Sequence, residues 1–156
     1  LVSTLPNQFV KYSFQKNRIP IFPKYKLVRP EVTIRNHRFD FLLSNKSGKN
    51  FFLEVKSVTF VEDGIAKFPD AVTTRGMNHA KTLTDLVKEG EFAGILFVCQ
   101  RPDATLFEPM WDRDPMFSNV LFNAYKMGVK VWCITLNVSQ TEISFNKEIP
   151  LNLKKE

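Results

Sequence analysis

The stretch Phe51–His79, FFLEVKSVTFVEDGIAKFPDAVTTRGMNH, decides the fold. It opens with an apolar run interrupted by Glu54 and Lys56, two charges separated by one valine. Successive side chains of a strand point to opposite faces. A strand here places Glu54 and Lys56 on one face and Phe51, Leu53 and Val55 on the other. Asp40 sits in a similar run, Arg38-Phe39-Asp40-Phe41-Leu42-Leu43, and points away from Phe39, Phe41 and Leu43. Charges on a buried strand are costly unless paired or bound to a metal. The pattern points to chemistry, although a carboxylate–lysine pair alone does not settle it.

Working outward, Ser3 to Gln15 reads as a helix, with Ser3 or Thr4 as its cap and Pro6 in its first turn. Pro20, Pro23 and Pro30 punctuate a basic, partly extended linker. Pro30 is a poor guest in a central strand, so the strand from about Lys26 to Arg35 lies at an edge or bends there. Asn36-His37 reads as a hairpin turn. That register sets Arg35 against Arg38 and Thr33 against Asp40, and Glu31 then looks the same way as Asp40; a one-residue slip would reverse this. A second turn at residues 45–49 leads into a strand from Phe51 to Phe60. A loop through Gly64 and Pro69 follows. Thr73 or Thr74 caps a helix to Lys88, and Gly90 stops it. Ala93–Cys99 is a buried strand. Residues 101–113 form a long loop. Asp114-Pro115 starts another helix that ends at Gly128, and Val129–Leu136 is a further buried strand. The tail from Glu142 to Leu153 alternates weakly, as an edge strand does. The order αβββαβαβ predicts a mixed central sheet flanked by helices.

The chain has 156 residues, enough for one domain with a sizeable core. Its net charge is +6, and the whole excess lies in residues 1–40, which hold eight Lys or Arg against Glu31 and Asp40. Lys24, Lys26, Arg29 and Arg38 belong to this set. A one-sided basic surface fits an anionic partner, nucleic acid first, and charge alone leaves a merely solvated face equally open. Cys99 and Cys133 each sit in an apolar run, as buried reduced thiols do, which predicts a reducing, intracellular compartment. No apolar stretch reaches transmembrane length, so no membrane role is expected. The N-terminus has no signal-peptide pattern and no Met, which reads as a fragment or a processed chain.

Asp40, a gap of 13 residues and then Glu54-x-Lys56 form the arrangement of the PD-(D/E)xK nuclease superfamily, and the element order resembles its αβββαβ core. The residue types suit the chemistry. Two carboxylates on neighbouring strands make a hard oxygen site for Mg²⁺ or Mn²⁺. Such an ion polarises a phosphate and acidifies a bound water. A lysine beside it orients that water or stabilises transition-state charge. Glu31 is a further candidate ligand or base. The bare spacing is common on polar strand faces and is weak by itself.

More polar residues follow. Arg75 and His79 are four apart, share a helix face and lie near a helix start, where a phosphate can be held. A lone histidine is more often a satisfied core or surface residue, and an arginine can simply be solvated. Asp70 is as consistent with capping a loop as with function. Trp111, Phe107 and Tyr25 fall in loops and could stack on bases, though such residues more often plug a core edge.

The blocks LEVKSVT and FPDAVTTRG, with His79, resemble the SfsA family, the sugar fermentation stimulation proteins. The likeness continues through Gly94–Val98, Gln100-Arg101, Phe107-x-Pro109 and Gly128-Val129. Upstream it takes in Ser3-Thr4, Asn7, Glu31-Val32 and Arg38–Phe41. The resemblance implies a single nuclease-like domain over residues 1–156, without the OB-like barrel that precedes it in the family. It carries Glu31, Asp40, Glu54 and Lys56 over as the nuclease-like site, with Asp70, Arg75 and His79 as the block beside it. It also implies binding to nucleic acid, DNA before RNA. The expected function is a metal-dependent nuclease. The alternative is a non-catalytic DNA-binding regulator of sugar metabolism on the same fold, and a scaffold domain without nucleic acid is a third, weaker reading.

Overall fold

A computed structural model describes residues 4–16 and 19–156. The expected cap Ser3 lies outside them. The first helix, α1, spans Leu5–Lys16. Strands β1 (Lys26–Ile34), β2 (His37–Ser44) and β3 (Asn50–Val58) follow as antiparallel neighbours. Two short strands, β4 (Phe60–Glu62) and β5 (Ile65–Phe68), precede α2 (Thr74–Lys88). Then come β6 (Phe92–Cys99), β7 (Leu106–Pro109), α3 (Pro115–Met127), β8 (Lys130–Val138) and β9 (Ile143–Ile149).

The main sheet runs β1-β2-β3-β6-β8-β9. Its centre, β3-β6-β8, is parallel, because α2 and α3 supply the crossovers that parallel neighbours require. This is the expected mixed sheet flanked by helices. β6 is apolar along nearly its whole length because both of its faces are covered. Ala93, Ile95, Phe97 and Cys99 join the core under α2 and α3, whereas Leu96 and Val98 join the core under α1 and Ile19–Phe22. Both helix starts were legible. Thr73 caps α2 by accepting from the Gly76 N–H at 3.0 Å, and Asp114 caps α3 by accepting from the Phe117 N–H at 3.0 Å. Cys99 and Cys133 are buried and free. Among the described residues no helix is long and apolar enough to cross a membrane.

Three expectations are corrected. The segment after β3 is not a plain loop, and neither is the whole of residues 101–113. β4, β5 and β7 form a second, three-stranded sheet. Through it Phe107 enters the main core and stacks on Phe97 with centroids 4.4 Å apart, so its ring is closed to any base. The β1–β2 turn lies one residue earlier than expected, at Arg35-Asn36, whose φ values of 52° and 66° suit a hairpin with two left-handed residues. Ile34 therefore pairs with His37 and Thr33 with Arg38. Finally, Phe39, Phe41 and Leu43 do not share one face. Phe41 and Leu43 enter the α1-side core, whereas Phe39 enters the core under α2.

Candidate functional site

The change of face in β2 makes the site. Pairing of β2 with β3 runs from Ser44↔Asn50 to Phe41↔Leu53. Past that point the Val55 N–H is taken by a side chain, donating to Asp40 Oδ2 at 2.7 Å. The second carboxylate oxygen, Oδ1, accepts from the Asn7 side-chain amide of α1, also at 2.7 Å. Phe39 then turns under α2 and lies against the His79 ring at 5.2 Å. The two strands diverge around Asp40, and its carboxyl stands close enough to Glu54 for that carboxylate to act on it.

Glu54 is 3% exposed. Its Oε2 takes two contacts, from Lys56 Nζ at 3.3 Å and from His79 Nδ1. Lys56 reaches it because i and i+2 share a strand face. His79 reaches it because the start of α2 is tied down. The Thr73 N–H donates to Asp114 Oδ2 at 2.8 Å, which links that start to the cap of α3. Gly76 allows the approach: a Cβ there would meet the Thr73 side chain at 2.9 Å and Phe117 at 3.3 Å.

The electrostatics follow from burial. Asp40 is pushed up to about 7, first by burial and then by the Glu54 carboxylate against it. His79 is pushed down to about 4 by burial, with Lys56 and Arg75 adding to the effect. Burial and the two cations outweigh the attraction of the Asp40 carboxylate. Neutral imidazole donating its Nδ1–H to Glu54 satisfies both contact and charge.

Glu31 lies between the pairs Val32↔Phe39 and Pro30↔Phe41, which places it opposite Asp40. Its φ is 60°, left-handed and costly for a residue with a side chain, and such strain gathers at functional sites. It is exposed and borders a cavity of about 360 Å³ with Asn7 and Asp40. Among the described residues no three His, Cys, Asp or Glu groups converge as a metal-ligating cluster. Arg75 is exposed, one turn before His79. Asp70 is exposed, and its backbone carbonyl accepts from Arg113. Lys24, Lys26, Arg29 and Arg38 are all exposed. They do not form one patch: Lys26 pairs with Ser44 and Arg38 with Thr33, at opposite ends of the β1–β2 hairpin.

Sequence reasoning undervalued two residues. Asn7 counted only through a family likeness, and Asp114 only as a cap; neither has a local signal linking it to the site. Both act across 33 and 41 residues of chain.

Residues 4–142 match the family model described as "Sugar fermentation stimulation protein RE domain". The sugar fermentation stimulation protein homolog of Clostridium tetani is 38% identical over 151 residues, covering 97% of this chain and 66% of the relative. That of Desulforamulus reducens is 39% identical, with 97% and 63% covered. Pyrococcus furiosus SfsA, solved in complex with Ca²⁺, superposes with a TM-score of 0.88 at 26% identity, covering 95% of this chain and 64% of that one. The chain thus spans about two thirds of the length of the curated relatives it matches. The family model spans both helix–strand crossovers, and the chain belongs to the SfsA family.

Proposed function

We propose that this domain is a metal-dependent phosphodiesterase acting on nucleic acid, DNA before RNA, with Asp40, Glu54 and Lys56 as its reacting set on a PD-(D/E)xK-like core. The observation that carries the reading is the carboxyl pair itself. Asp40 and Glu54 meet where two strands diverge, and burial with mutual repulsion raises Asp40 to about 7. Two crowded hard-oxygen donors, Glu54 with Lys56 beside it at 3.3 Å, fit Mg²⁺ or Mn²⁺, which keep several waters and need few protein ligands. The Ca²⁺ in the P. furiosus relative is a hard cation of the same kind.

Asp40 and Glu54 would hold the ion, with Glu31 at the rim. When bound, it would polarise the scissile phosphate and acidify a water. The chain's own groups have separable tasks. Asn7 and the Val55 N–H orient Asp40. Lys56, beside Glu54, stabilises charge on the phosphoryl oxygens. In this reading His79, buried on Glu54, orients that carboxylate and leaves the phosphate to its neighbour. The exposed guanidinium of Arg75 is left for that contact.

The test is incubation with labelled single- and double-stranded DNA and RNA in Mg²⁺, Mn²⁺ or EDTA, beside Asp40→Asn and Glu54→Gln. Cleavage is expected to need metal and to fall about 10²–10³-fold in each variant. A parent protein that binds but never cleaves is instead the non-catalytic regulator.

A further inference from the structure

The cavity beside Asp40 and Glu31 does not end there. It shares Lys11 and Pro30 with a second cavity of about 430 Å³ between α1 and β1. Together the two adjoining cavities form a groove along β1 from Glu31 back to Lys26, about 16 Å at the rise of a strand. Its charges are sorted. Lys11, Lys26 and Arg29 line the far part, where no acidic residue occurs. Glu31 and Asp40 stand only at the near end.

Aromatic rings line the same part. Phe14 and Tyr25 are half-buried and line the groove. Both are braced from below: Tyr25 lies 5.0 Å from Phe51, and Phe14 lies 5.3 Å from Phe22 and 6.2 Å from Phe41. Rings held in this way lose little freedom when something stacks on them.

We propose that this groove carries one unpaired strand of the nucleic-acid substrate, leading it to the carboxyl pair; the inference rests on the phosphodiesterase reading. Basic side chains that track a backbone beside aromatic platforms are the recurring solution for single strands. A duplex keeps its bases stacked inside and offers only phosphates to such a groove. The volume, in the range of pockets that hold small molecules, also suits splayed nucleotides and not a double helix. The charge order sets the direction: backbone phosphates lie on Lys11, Lys26 and Arg29, and the reacting phosphate lies at Asp40.

The test is fluorescence anisotropy with labelled oligo-dT and a blunt duplex of equal length, in Ca²⁺ and in EDTA. The variants are Lys26→Glu/Arg29→Glu and Tyr25→Leu, with Lys88→Glu/Lys126→Glu as a control of equal charge. The first pair is expected to weaken oligo-dT binding at least about tenfold and to flatten its salt slope by about 1.4, with duplex affinity following the control. Tyr25→Leu should lose about 5- to 150-fold on oligo-dT with folding intact. Equal losses on both forms, no loss on oligo-dT, or no binding by the parent would overturn the strand path. Cleavage is read separately. A parent that binds oligo-dT through these residues yet cleaves nothing overturns the phosphodiesterase reading and leaves the strand path standing.

Discussion

Asn7, in the first turn of α1, donates its side-chain amide to Oδ1 of Asp40 at 2.7 Å, so a helix on one side of the sheet fixes a carboxylate where two strands part. Oδ2 is held by a backbone N–H, and the carboxylate plane is thereby set before any ligand arrives. Partners of this kind orient a ligating group without touching substrate. Asn7→Ala should lower kcat about 10- to 100-fold with KM little changed. Its stability cost should be only about 1 kcal/mol. Steady-state cleavage beside a urea melt reads both. Full activity in a folded Asn7→Ala protein would remove Asn7 from the site.

Asp40 and His79 impose opposite pH dependences on stability. The folded pKa of Asp40, about 7, lies above the ordinary aspartate value near 3.9. Its contribution is full below that ordinary value and is lost as pH rises through 7. The folded pKa of His79, about 4, lies below the ordinary value near 6.5. Its contribution is present above 6.5 and is lost as pH falls through 4. The two oppose each other between pH 4 and 7, so the parent should show a shallow profile there. Asp40→Asn should lose stability as pH falls across that window, and His79→Gln should lose it as pH rises. Urea midpoints at several pH values decide the matter, and parallel profiles for all three proteins would refute the assignment.

If Asp40 holds a divalent ion as proposed, protons compete with that ion for it. A divalent ion needs the carboxylate, and a group titrating near 7 gives it up tenfold less readily for each pH unit below that point. Ca²⁺ at about 100 times its Kd should stabilise the fold by about 2.7 kcal/mol at pH 8. At pH 5 the same concentration should raise Tm far less, and Asp40→Asn should abolish the shift at both. A Tm increase independent of pH would place the ion elsewhere.

Much of this was legible where the signal was local. Glu54 and Lys56 two apart, the caps Thr73 and Asp114, and Pro30 marking an edge strand each rest on neighbouring residues. What escaped depends on distant pairing. β4, β5 and β7 are three or four residues long, too short for a period, and β5 finds β7 about 40 residues later. The turn at Arg35-Asn36 uses an arginine in a left-handed conformation, against its intrinsic preference. Phe39 and Phe41 part company because the strands diverge, and alternation within β2 alone contains no trace of that. His79 looked like an ordinary histidine until α2 set it on Glu54.

Gly94 shows how tightly the sheet is filled behind the site. It lies opposite Leu53 of β3 and Lys130 of β8, in the central strand. A Cβ there would sit 2.8 Å from Phe51 Cζ and 2.8 Å from Trp132 Cζ3, with the Lys130 carbonyl at 3.1 Å. Both rings belong to the aromatic set around Phe22, so neither can retreat without disturbing the other. Gly94→Ala should therefore destabilise by about 1–3 kcal/mol through overpacking, despite the better strand propensity of alanine. Pairing it with Trp132→Leu, which clears one ring, should recover part of that loss beyond additivity. Denaturant melts of the four proteins in the cycle would measure the coupling. A stable Gly94→Ala protein, or strictly additive losses, would show that the α1-side core yields more readily than its packing implies.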